Sequence, residues 1–278
     1  MTPETMPPKL LPLNDPTFAE IRNPDKPLLY ADKTQYIYEL LRSNLKNFFL
    51  SRPRRFGKSL LLSTIKELFV GDPKIFEGLW IAGEEVHYVF PRHPVLHLSL
   101  SVSSTSSERL EANIIANLSD IAKKSNLDVM GDSPDIYFGR LIKALYESTN
   151  SKVVILVDEY DAPVTRMMED QKIAKSNAKV LHDFFAILKA PDVVPCIHFT
   201  MVTGITRYAL TSMDSGANHL NDISLNPKYG GICGFLRDEL VPLFADRLET
   251  TLSELKIKGI MKPSDGQKQL IDKIHFWY

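Results

Sequence analysis

The sequence predicts an α/β fold built on a mainly parallel central sheet. The first observation is the run "KVVILV" (152–157), which is apolar at every position after Lys152, as in strands that are covered on both faces of a parallel sheet. The second is a similar run, "PCIHFTMVTG" (195–204). The third is a set of amphipathic patterns with helical spacing that lie between and around these runs. Strands that alternate with helices favour a parallel sheet flanked by helices.

The chain divides into three predicted regions. Residues 1–27 are rich in proline and predict an extended arm, because proline fits neither a helix interior nor a central strand. Residues 28–210 carry the alternating strands and helices and predict the core. Residues 211–278 begin with turn-forming residues and predict a mainly helical C-terminal region. The last helical pattern stops at "DKIHFWY" without a breaker, so we expect this region to be truncated.

Within the core, hydrophobic spacing and breaker residues predict the elements. Asp32 or Thr34 caps a first helix, and the run "NFFLS" (47–51) predicts a buried strand. A Gly-Asp-Pro sequence at 71–73 ends the helix that follows the next loop. The other predicted elements are helices at 58–69, 107–123, 134–148 and 176–189, a strand at 94–102, and C-terminal helices at 236–256 and 265–276.

Composition excludes several classes of protein. The 278 residues are 44% hydrophobic and 24% charged with a net charge of −1, which is typical of a soluble globular protein and lacks the basic excess of a dedicated duplex-DNA binder. No apolar run approaches the ~20 residues of a membrane helix, and the N-terminus lacks a signal-peptide pattern. The two cysteines, Cys196 and Cys233, make neither a disulfide framework nor a zinc spacing. We expect free thiols, a cytoplasmic location and no membrane contact.

The stretch "FFLSRPRRFGKSLLLS" (48–63) joins the first strand to a helix. Phosphate binding at such a junction uses inward-facing N–H groups, a helix N-terminus and a lysine, and Mg²⁺ uses a hydroxyl ligand. Gly57 allows close backbone approach, Lys58 supplies the charge and Ser59 supplies the hydroxyl. The residues predicted to contact the nucleotide are Pro53, Arg54, Arg55, Phe56, Gly57, Lys58, Ser59 and Leu60.

Two features of this loop leave alternatives open. The general pattern G-x-x-x-x-G-K-[ST] has glycine where this chain has Arg52, and Pro53 removes one N–H group. The arginines at 52, 54 and 55 either add phosphate contacts or face solvent. Together with Lys58 they form a basic patch, so a nucleic-acid module remains an alternative.

The segment "KVVILVDEYDAP" places Asp158 and Glu159 at the carboxyl end of a buried strand. Asp158 is predicted to bind Mg²⁺ together with Ser59, and Glu159 to orient or deprotonate the attacking water. Two carboxylates at a buried strand end are costly unless a cation pairs with them. Asp161 either supports these groups or caps the next segment.

The segment "TGITRYA" places Thr203, Thr206 and Arg207 where the next strand would end. Thr203 is predicted to sense the γ-phosphate or position water, and Arg207 to stabilise transition-state charge, in cis or across a subunit contact. Turn and cap chemistry is the alternative for all three residues.

Five segments taken together, "YADKT", "SRPRRFGKSLLLS", "VVILVDEYDAPV", "TGITRYA" and "DISLNPKYGGICGF", resemble one family. From about residue 10 to the last residue, the sequence resembles the predicted AAA-ATPase-like family, which is similar to the archaeal and signal-transducing P-loop ATPases of the ASCE class. The resemblance implies a P-loop NTPase three-layer sandwich with an extra strand between the phosphate loop and the acidic strand, for which the strand at 94–102 is the candidate. It also implies that arginine is usual at position 52.

Two further expectations rest on this resemblance. In related ATPases a segment about 25 residues before the loop packs beside the adenine, so Tyr30 and Asp32 are predicted to contact the base. A helix cap with a buried aromatic ring is the alternative for this pair. Many family members continue into a nuclease-like domain of the PD-(D/E)XK type. This sequence shows no such segment, so nuclease activity cannot be carried over to it.

The motifs together predict a Mg²⁺-dependent module that binds ATP, hydrolyses it and acts on an unidentified effector, protein partner or second copy of itself. One alternative is an ATP-binding switch or scaffold with little turnover, which regulates a partner or a missing nuclease-like domain. The other is a nucleic-acid-associated module. The near-neutral charge allows nucleic acid only as an indirect partner.

Overall fold

The computed structural model describes residues 10–12, 16–101, 105–207 and 219–277, and the side chains as far as residue 273. Its centre is a five-stranded sheet in the order β2-β3-β4-β1-β5. Each of the four strand pairs is parallel, which confirms the predicted α/β class. The strands are β1 (Asn47–Ser51), β2 (Val95–Ser99), β3 (Val153–Asp158), β4 (Ile197–Gly204) and β5 (Asn221–Asp222).

Helices connect the strands and cover the sheet. The longest helices of the core agree with the predicted bounds within a few residues, with one exception. The helix predicted at 176–189 begins earlier, at Gln171, and ends at Ala186, where a 3₁₀ turn at Ile187–Lys189 follows it. The helices are α1 (Phe18–Ile21), α2 (Thr34–Leu41), α3 (Lys58–Val70), α4 (Ser107–Lys124), α5 (Pro134–Thr149), α6 (Ala162–Thr165), α7 (Gln171–Ala186), α8 (Arg237–Ile257) and α9 (Gln267–Trp277).

The sheet lies between two hydrophobic cores. Every residue of β3 is buried, because side chains of this strand alternate between the two faces and both faces are covered. One core contains residues of α4, α5 and α7, and the other contains residues of α1, α2 and α3. Helix layers on both faces of a parallel sheet make the predicted three-layer sandwich.

The strand that separates the phosphate loop from the acidic strand is β4. It pairs with β1 on one side and with β3 on the other, although it follows both in sequence. The strand predicted at 94–102 is present as the shorter β2, and it lies at the sheet edge beside β3. All carboxyl ends of β1, β3 and β4 therefore meet at one edge of the sheet, where ligands bind in open parallel sheets.

The N-terminal arm contains a short helix that the sequence did not predict. Thr17 caps α1 with a reciprocal capping box to Glu20, and Phe18 and Ile21 are buried. The backbone N–H of Phe18 donates to Ser63 Oγ on α3 over 2.9 Å. The prediction of an extended arm is wrong for these residues, because local capping and burial outweigh the surrounding prolines. Residues 1–9 and 13–15 lie outside the described residues.

The C-terminal helices α8 and α9 pack on each other around a small core of their own, which includes Leu248, Leu252 and Leu270. Helix α8 contains Pro242 and a non-helical residue, Phe244, so it is kinked there. The predicted boundary at 210–211 lies outside the described residues. Across the part of the chain that the structure describes, no helix combines the length and apolar character needed to cross a bilayer.

At the opposite edge of the sheet, the rings of His93 and His198 stack 3.9 Å apart. Burial, the neighbouring His93, and then Lys46 and Lys152 lower the pKa of His198 to about 4. Unfolding therefore takes up a proton between about pH 6.5 and 4, so the stability from neutral His198 is complete above pH 6.5 and is lost towards pH 4. Phenylalanine keeps an aromatic ring but cannot bind a proton. We therefore expect the free energy of unfolding of His198→Phe to fall less than that of the wild type when the pH is lowered from 6.5 to 4.

Urea unfolding at a series of pH values measures this effect. The control is His87→Asn, since His87 is exposed and its backbone φ of 50° suits asparagine. This control should keep the wild-type slope. An unchanged slope in His198→Phe would contradict the prediction.

Candidate nucleotide site

The loop between β1 and α3 has the geometry of a phosphate cradle. Gly57 has a φ of 87° and precedes the first helical residue, a conformation that glycine adopts without a Cβ penalty. Lys58 is only 7% exposed, and its Nζ donates to the carbonyl oxygens of Arg52 and Pro53, each over 3.0 Å. An ammonium has three N–H donors, so these two bonds leave one donor for a ligand oxygen.

Asp158 joins three of the elements at this sheet edge. One carboxylate oxygen, Oδ2, accepts from Ser59 Oγ over 2.5 Å. The other, Oδ1, accepts from Thr203 Oγ1 over 2.6 Å and from the N–H of Glu159 over 2.9 Å. Asp158 is 6% exposed and Thr203 is fully buried. The structure thus brings the two predicted metal ligands and the predicted γ-phosphate sensor into direct contact.

Glu159 differs from Asp158 in being partly exposed. Its backbone has a φ of 50°, which is uncommon for a residue other than glycine and is found at functional sites. Its Oε2 lies 3.4 Å from Nη2 of Arg166, and both side chains are about one-third exposed. Arg166 Nη1 also donates to the carbonyl of Ser101, two residues after the end of β2. Arg166 was not predicted as a site residue, because nothing in the sequence relates an arginine seven residues later to this carboxylate.

Asp161 supports the site without reaching its surface. Its fully buried carboxylate accepts from the N–H of Ile205, over 3.1 Å, and from the N–H of Thr206, over 2.8 Å. It also accepts from Thr206 Oγ1 over 3.0 Å. Of the two predicted roles, a cap of the next segment or a support of the site, the cap is not seen, because the carboxylate makes no cap bond to α6. Its bonds hold the turn after β4. Thr206 takes part in that turn.

Gly204, the last residue of β4, packs against the acidic segment. A Cβ added to Gly204 would lie 2.5 Å from a ring carbon of Tyr160 and 2.8 Å from Asp161 Oδ1. Because Tyr160 is fully buried, the ring cannot move away at low cost. We expect Gly204→Ala to lower the free energy of unfolding by about 1–3 kcal/mol, as overpacking does.

Urea denaturation of the Gly204→Ala protein tests this prediction. The control is Gly266→Ala, because an added Cβ at Gly266 meets only the end of the Gln269 side chain, at 3.4 Å. Gly78 is unsuitable as a control because its φ is positive, which strains any other residue. Equal stability of Gly204→Ala and Gly266→Ala would show that this edge of the sheet tolerates a side chain.

The remaining basic residues of the site differ in whether they have a partner. Arg207 Nε pairs with Asp222 on β5, so its guanidinium is held at the β5 side of the sheet edge. Arg54, Arg55 and Phe56 are exposed on the loop, and within the described ranges no hydrogen bond or ion pair is found for either arginine. Pro53 and Ser59 are exposed as well, and Leu60 is half-buried. That the loop residues from Pro53 to Phe56, Ser59 and Leu60 contact the nucleotide remains a prediction.

Arg52 does not face the loop interior as a phosphate ligand. Its Nη1 donates to the carbonyls of Ser51 and Ser224, over 2.9 and 2.7 Å, and its Nη2 to the carbonyl of Tyr229 over 3.4 Å. The basic patch of four cations therefore does not form as predicted, since Arg52 and Lys58 are both turned to carbonyl oxygens. The carbonyls of Ser224 and Tyr229 both belong to the segment "DISLNPKYGGICGF". The turn-forming residues of this segment predict a loop, but they do not predict which residue the loop binds.

Tyr30 and Asp32 line a cavity of about 410 Å³ whose other walls include Pro242 and Leu243 of α8. Asp32 also accepts from the N–H and hydroxyl of Thr34, the first residue of α2, over 2.9 and 2.6 Å. Burial raises the pKa of the Tyr30 phenol above its usual range. Asp32 is therefore bonded to the start of α2 and Tyr30 is partly buried, and the same pair borders a space of ligand size.

The parallel sheet, the loop with Lys58 at a helix N-terminus, and the Asp158 contact to Ser59 define a P-loop protein of the nucleoside-triphosphate-binding class. A family model described as "Predicted AAA-ATPase" matches residues 13–214. The chain belongs to this family. The resemblance inferred from the sequence is confirmed, and with it an ATP-binding type of P-loop module.

One curated relative is an uncharacterized protein in the vnfD 5′ region of Azotobacter chroococcum mcd 1. It is 34% identical over 244 residues, which are 86% of this chain and 46% of the relative. The chain therefore spans about half the length of that protein. Among solved structures, the crystal structure of Cdc6p from Pyrobaculum aerophilum is similar with a TM-score of 0.41 and 13% identity, over 82% of this chain and 52% of that one. A likeness of that size carries no argument about function.

Proposed function

We propose that this protein binds ATP with Mg²⁺ at the carboxyl edge of its sheet and hydrolyses it to ADP and phosphate. The contact of Asp158 with both Ser59 and Thr203 carries the proposal. A hydroxyl on the phosphate-binding helix, a buried carboxylate and a buried threonine on the intervening strand are joined there, and P-loop NTPases hold Mg²⁺ with such a hydroxyl and carboxylate.

The phosphates would lie against the N-terminus of α3. Lys58 would exchange the carbonyls of Arg52 and Pro53 for phosphate oxygens, because a charge-assisted bond to an anion is stronger than one to a neutral carbonyl. The N–H groups of residues 54–58 and the partial positive charge of the helix end would bind the other oxygens. Arg54 and Arg55 are exposed on the same loop and are proposed to add phosphate contacts.

The donor set fits Mg²⁺. The described residues contain no cluster of three or more His, Cys, Asp or Glu side chains placed to hold a metal. Mg²⁺ does not need one, because it is held by one or two protein oxygens together with water and phosphate oxygens. Ser59 and Asp158 would hold the ion, directly or through water. Bound there, Mg²⁺ neutralises charge that develops on the phosphate oxygens.

Glu159 is proposed as the group that activates water. As a carboxylate at the strand end, it would accept a proton from water as the water oxygen attacks the γ-phosphorus and the bond to the ADP oxygen breaks. Arg166 contacts this carboxylate and would set its orientation. Thr203 would position the water or sense the γ-phosphate. Arg207 would have to leave Asp222 before it stabilises the transition state.

The base would enter the cavity beside Tyr30 and Asp32. The Tyr30 hydroxyl lies 3.5 Å from Thr64 Oγ1 on α3. Thr64 follows Lys58 by six residues, a rise of about 9 Å along the helix, so this cavity is separated from the phosphate end by a distance that a ribose and phosphate chain spans. Because α8 forms one wall, the C-terminal helices would help to enclose the base.

The proposal is tested with purified protein, Mg-ATP and radiolabelled γ-phosphate. We expect release of labelled phosphate that requires Mg²⁺ and stops when EDTA is added. Absence of both phosphate release and a Mg-ATP-dependent rise in melting temperature would contradict binding as well as hydrolysis.

An ATP-binding switch with little turnover is the second candidate function. The contact between Arg166 and Glu159 favours it, because a carboxylate oxygen that pairs with a guanidinium is not free to accept a proton from water. Under this candidate, Mg-ATP raises the melting temperature while less than one phosphate per protein is released in an hour. Multiple turnovers in the absence of any partner would exclude it.

A further inference from the structure

Residues 223–235, here called the strap, run along the phosphate loop to the C-terminal helices. The strap begins beside β1, where the N–H of Ile223 donates to the carbonyl of Phe49 over 3.0 Å. Its last residue, Phe235, is followed by Leu236, the residue before α8. It is therefore the stretch of chain that connects the sheet edge of the nucleotide site with α8 and α9.

The guanidinium of Arg52 joins the phosphate loop to two points of the strap. Its bonds go to the carbonyls of Ser224 and Tyr229, five positions apart in the strap, and they come from two different nitrogens of the planar guanidinium fork. In the described part of the chain, all its hydrogen bonds go to carbonyl oxygens. The charge of Arg52 thus serves to bind backbone.

Two backbone contacts support the same junction. The N–H of Ser51 donates to Ser224 Oγ over 2.8 Å, and the N–H of Gly234 donates to the carbonyl of Phe56 over 2.9 Å. The strap is thus bonded to the residue before Arg52 and to the residue before Gly57. A change of loop conformation between these two points cannot leave the strap unaffected.

Arg52 is also bonded to the predicted phosphate-binding lysine. Its carbonyl accepts from Lys58 Nζ, while its guanidinium binds the strap. A phosphate that draws the ammonium towards itself therefore acts on the same residue that holds the strap. Beyond the strap, Glu239 in the first turn of α8 pairs with buried Lys33 over 2.6 Å, so movement of the strap reaches a second contact between α8 and the core.

We propose that Arg52 is a positioning residue that couples the phosphate loop to the strap, so that nucleotide binding orders the strap and fixes the start of α8. This inference rests on the proposed function of the loop. It explains in physical terms why an arginine replaces the first glycine of the general loop pattern: the position binds a neighbouring segment and does not face the phosphates.

Cys233 is a native probe of the strap. Its side chain is buried in the strap, and burial raises the pKa of its thiol to about 11, so a thiolate forms when the strap opens. Cys196 is also buried, just before the amino end of β4, away from the site. N-ethylmaleimide labelling followed by peptide mass spectrometry measures both cysteines in one sample, with Cys196 as the internal control.

The first measurement needs no nucleotide. Removing the fork should let the strap open more often, so we expect Cys233 in Arg52→Ala to be labelled at least tenfold faster than in the wild type, which corresponds to about 1.4 kcal/mol. Arg140→Ala is the matched control, because Arg140 also donates to a carbonyl, that of Met130, over 2.7 Å. Arg52→Lys keeps the charge and should give an intermediate rate, and it replaces Arg52→Ala if that variant does not fold. Equal Cys233 rates in the wild type and the position-52 variants would overturn the proposal.

The second measurement adds the non-hydrolysable analogue adenylyl imidodiphosphate with Mg²⁺, and binding is followed separately by melting temperature. We expect the analogue to slow Cys233 labelling at least tenfold in the wild type, and to leave it nearly unchanged in the position-52 variants that still bind. A bound analogue that leaves wild-type Cys233 labelling unchanged or faster would overturn the coupling. If the wild type binds no analogue, the proposed function fails and the coupling fails with it, whereas the first measurement still decides whether Arg52 holds the strap.

Discussion

Replacing Lys58 with alanine should remove the thermal stabilisation that Mg-ATP gives to the wild-type protein. The Lys58 ammonium is buried at the start of α3 and is held there by carbonyls of its own loop, where the phosphates are proposed to bind. At 100 times its dissociation constant, Mg-ATP should add about 2.7 kcal/mol to wild-type stability. For a chain of this size, each kcal/mol raises the melting temperature by about 2–4 °C. Calorimetric melting with and without Mg-ATP measures the loss.

Lys66→Ala is the matched control for this variant. Lys66 lies on the same helix, its side chain is 45% exposed, and it pairs weakly with Glu67 over 3.8 Å. We expect Lys66→Ala to keep the full nucleotide shift. If Lys58→Ala kept it too, the nucleotide would bind elsewhere and the assignment of the phosphate loop would be wrong.

Replacing Glu159 with glutamine should separate binding from turnover. Glutamine has the same shape but cannot accept a proton, and a general base contributes typically about 10²–10⁴-fold to rate. We therefore expect Glu159→Gln to lose about that factor in phosphate release while it keeps the melting shift with Mg-ATP. The amide can still occupy the unusual backbone position at φ 50°, because the substitution leaves the Cβ unchanged.

The control for Glu159→Gln is Glu147→Gln, an exposed residue near the end of α5. Its turnover should match that of the wild type. Equal phosphate release by Glu159→Gln and the wild type would assign water activation to another group. A Glu159→Gln protein that also loses the melting shift would show that this carboxylate acts in binding.

The strands and the core helices followed from local sequence, since hydrophobic period and breaker residues act over a few positions. The run at 47–51 and the apolar run before Asp158 appear as β1 and β3 with nearly the predicted bounds. The helix at Phe18–Ile21 was missed. Its four residues are too few for a periodic pattern, and it depends on a cap at Thr17 and on burial against α3.

The order of the strands in the sheet could be read only from the tertiary structure. In sequence, β4 comes last of the three central strands, yet in the sheet it lies between β1 and β3. Only this placement brings Thr203 to Asp158 and leaves β2, the strand first expected to be the extra one, at the edge. Hydrophobic pattern identifies a strand but does not specify its neighbours.

The sequence by itself determined the class of this protein, because the Gly-Lys-Ser turn and the acidic strand end are local arrangements that each carry their own chemistry. The tertiary structure alone decided the partners of the charged side chains. Arg52 binds strap carbonyls more than 170 residues away in sequence, and Arg207 binds Asp222. An arginine has the same donors whether it meets a phosphate, a carboxylate or a carbonyl, so only the packing of distant segments selects among them.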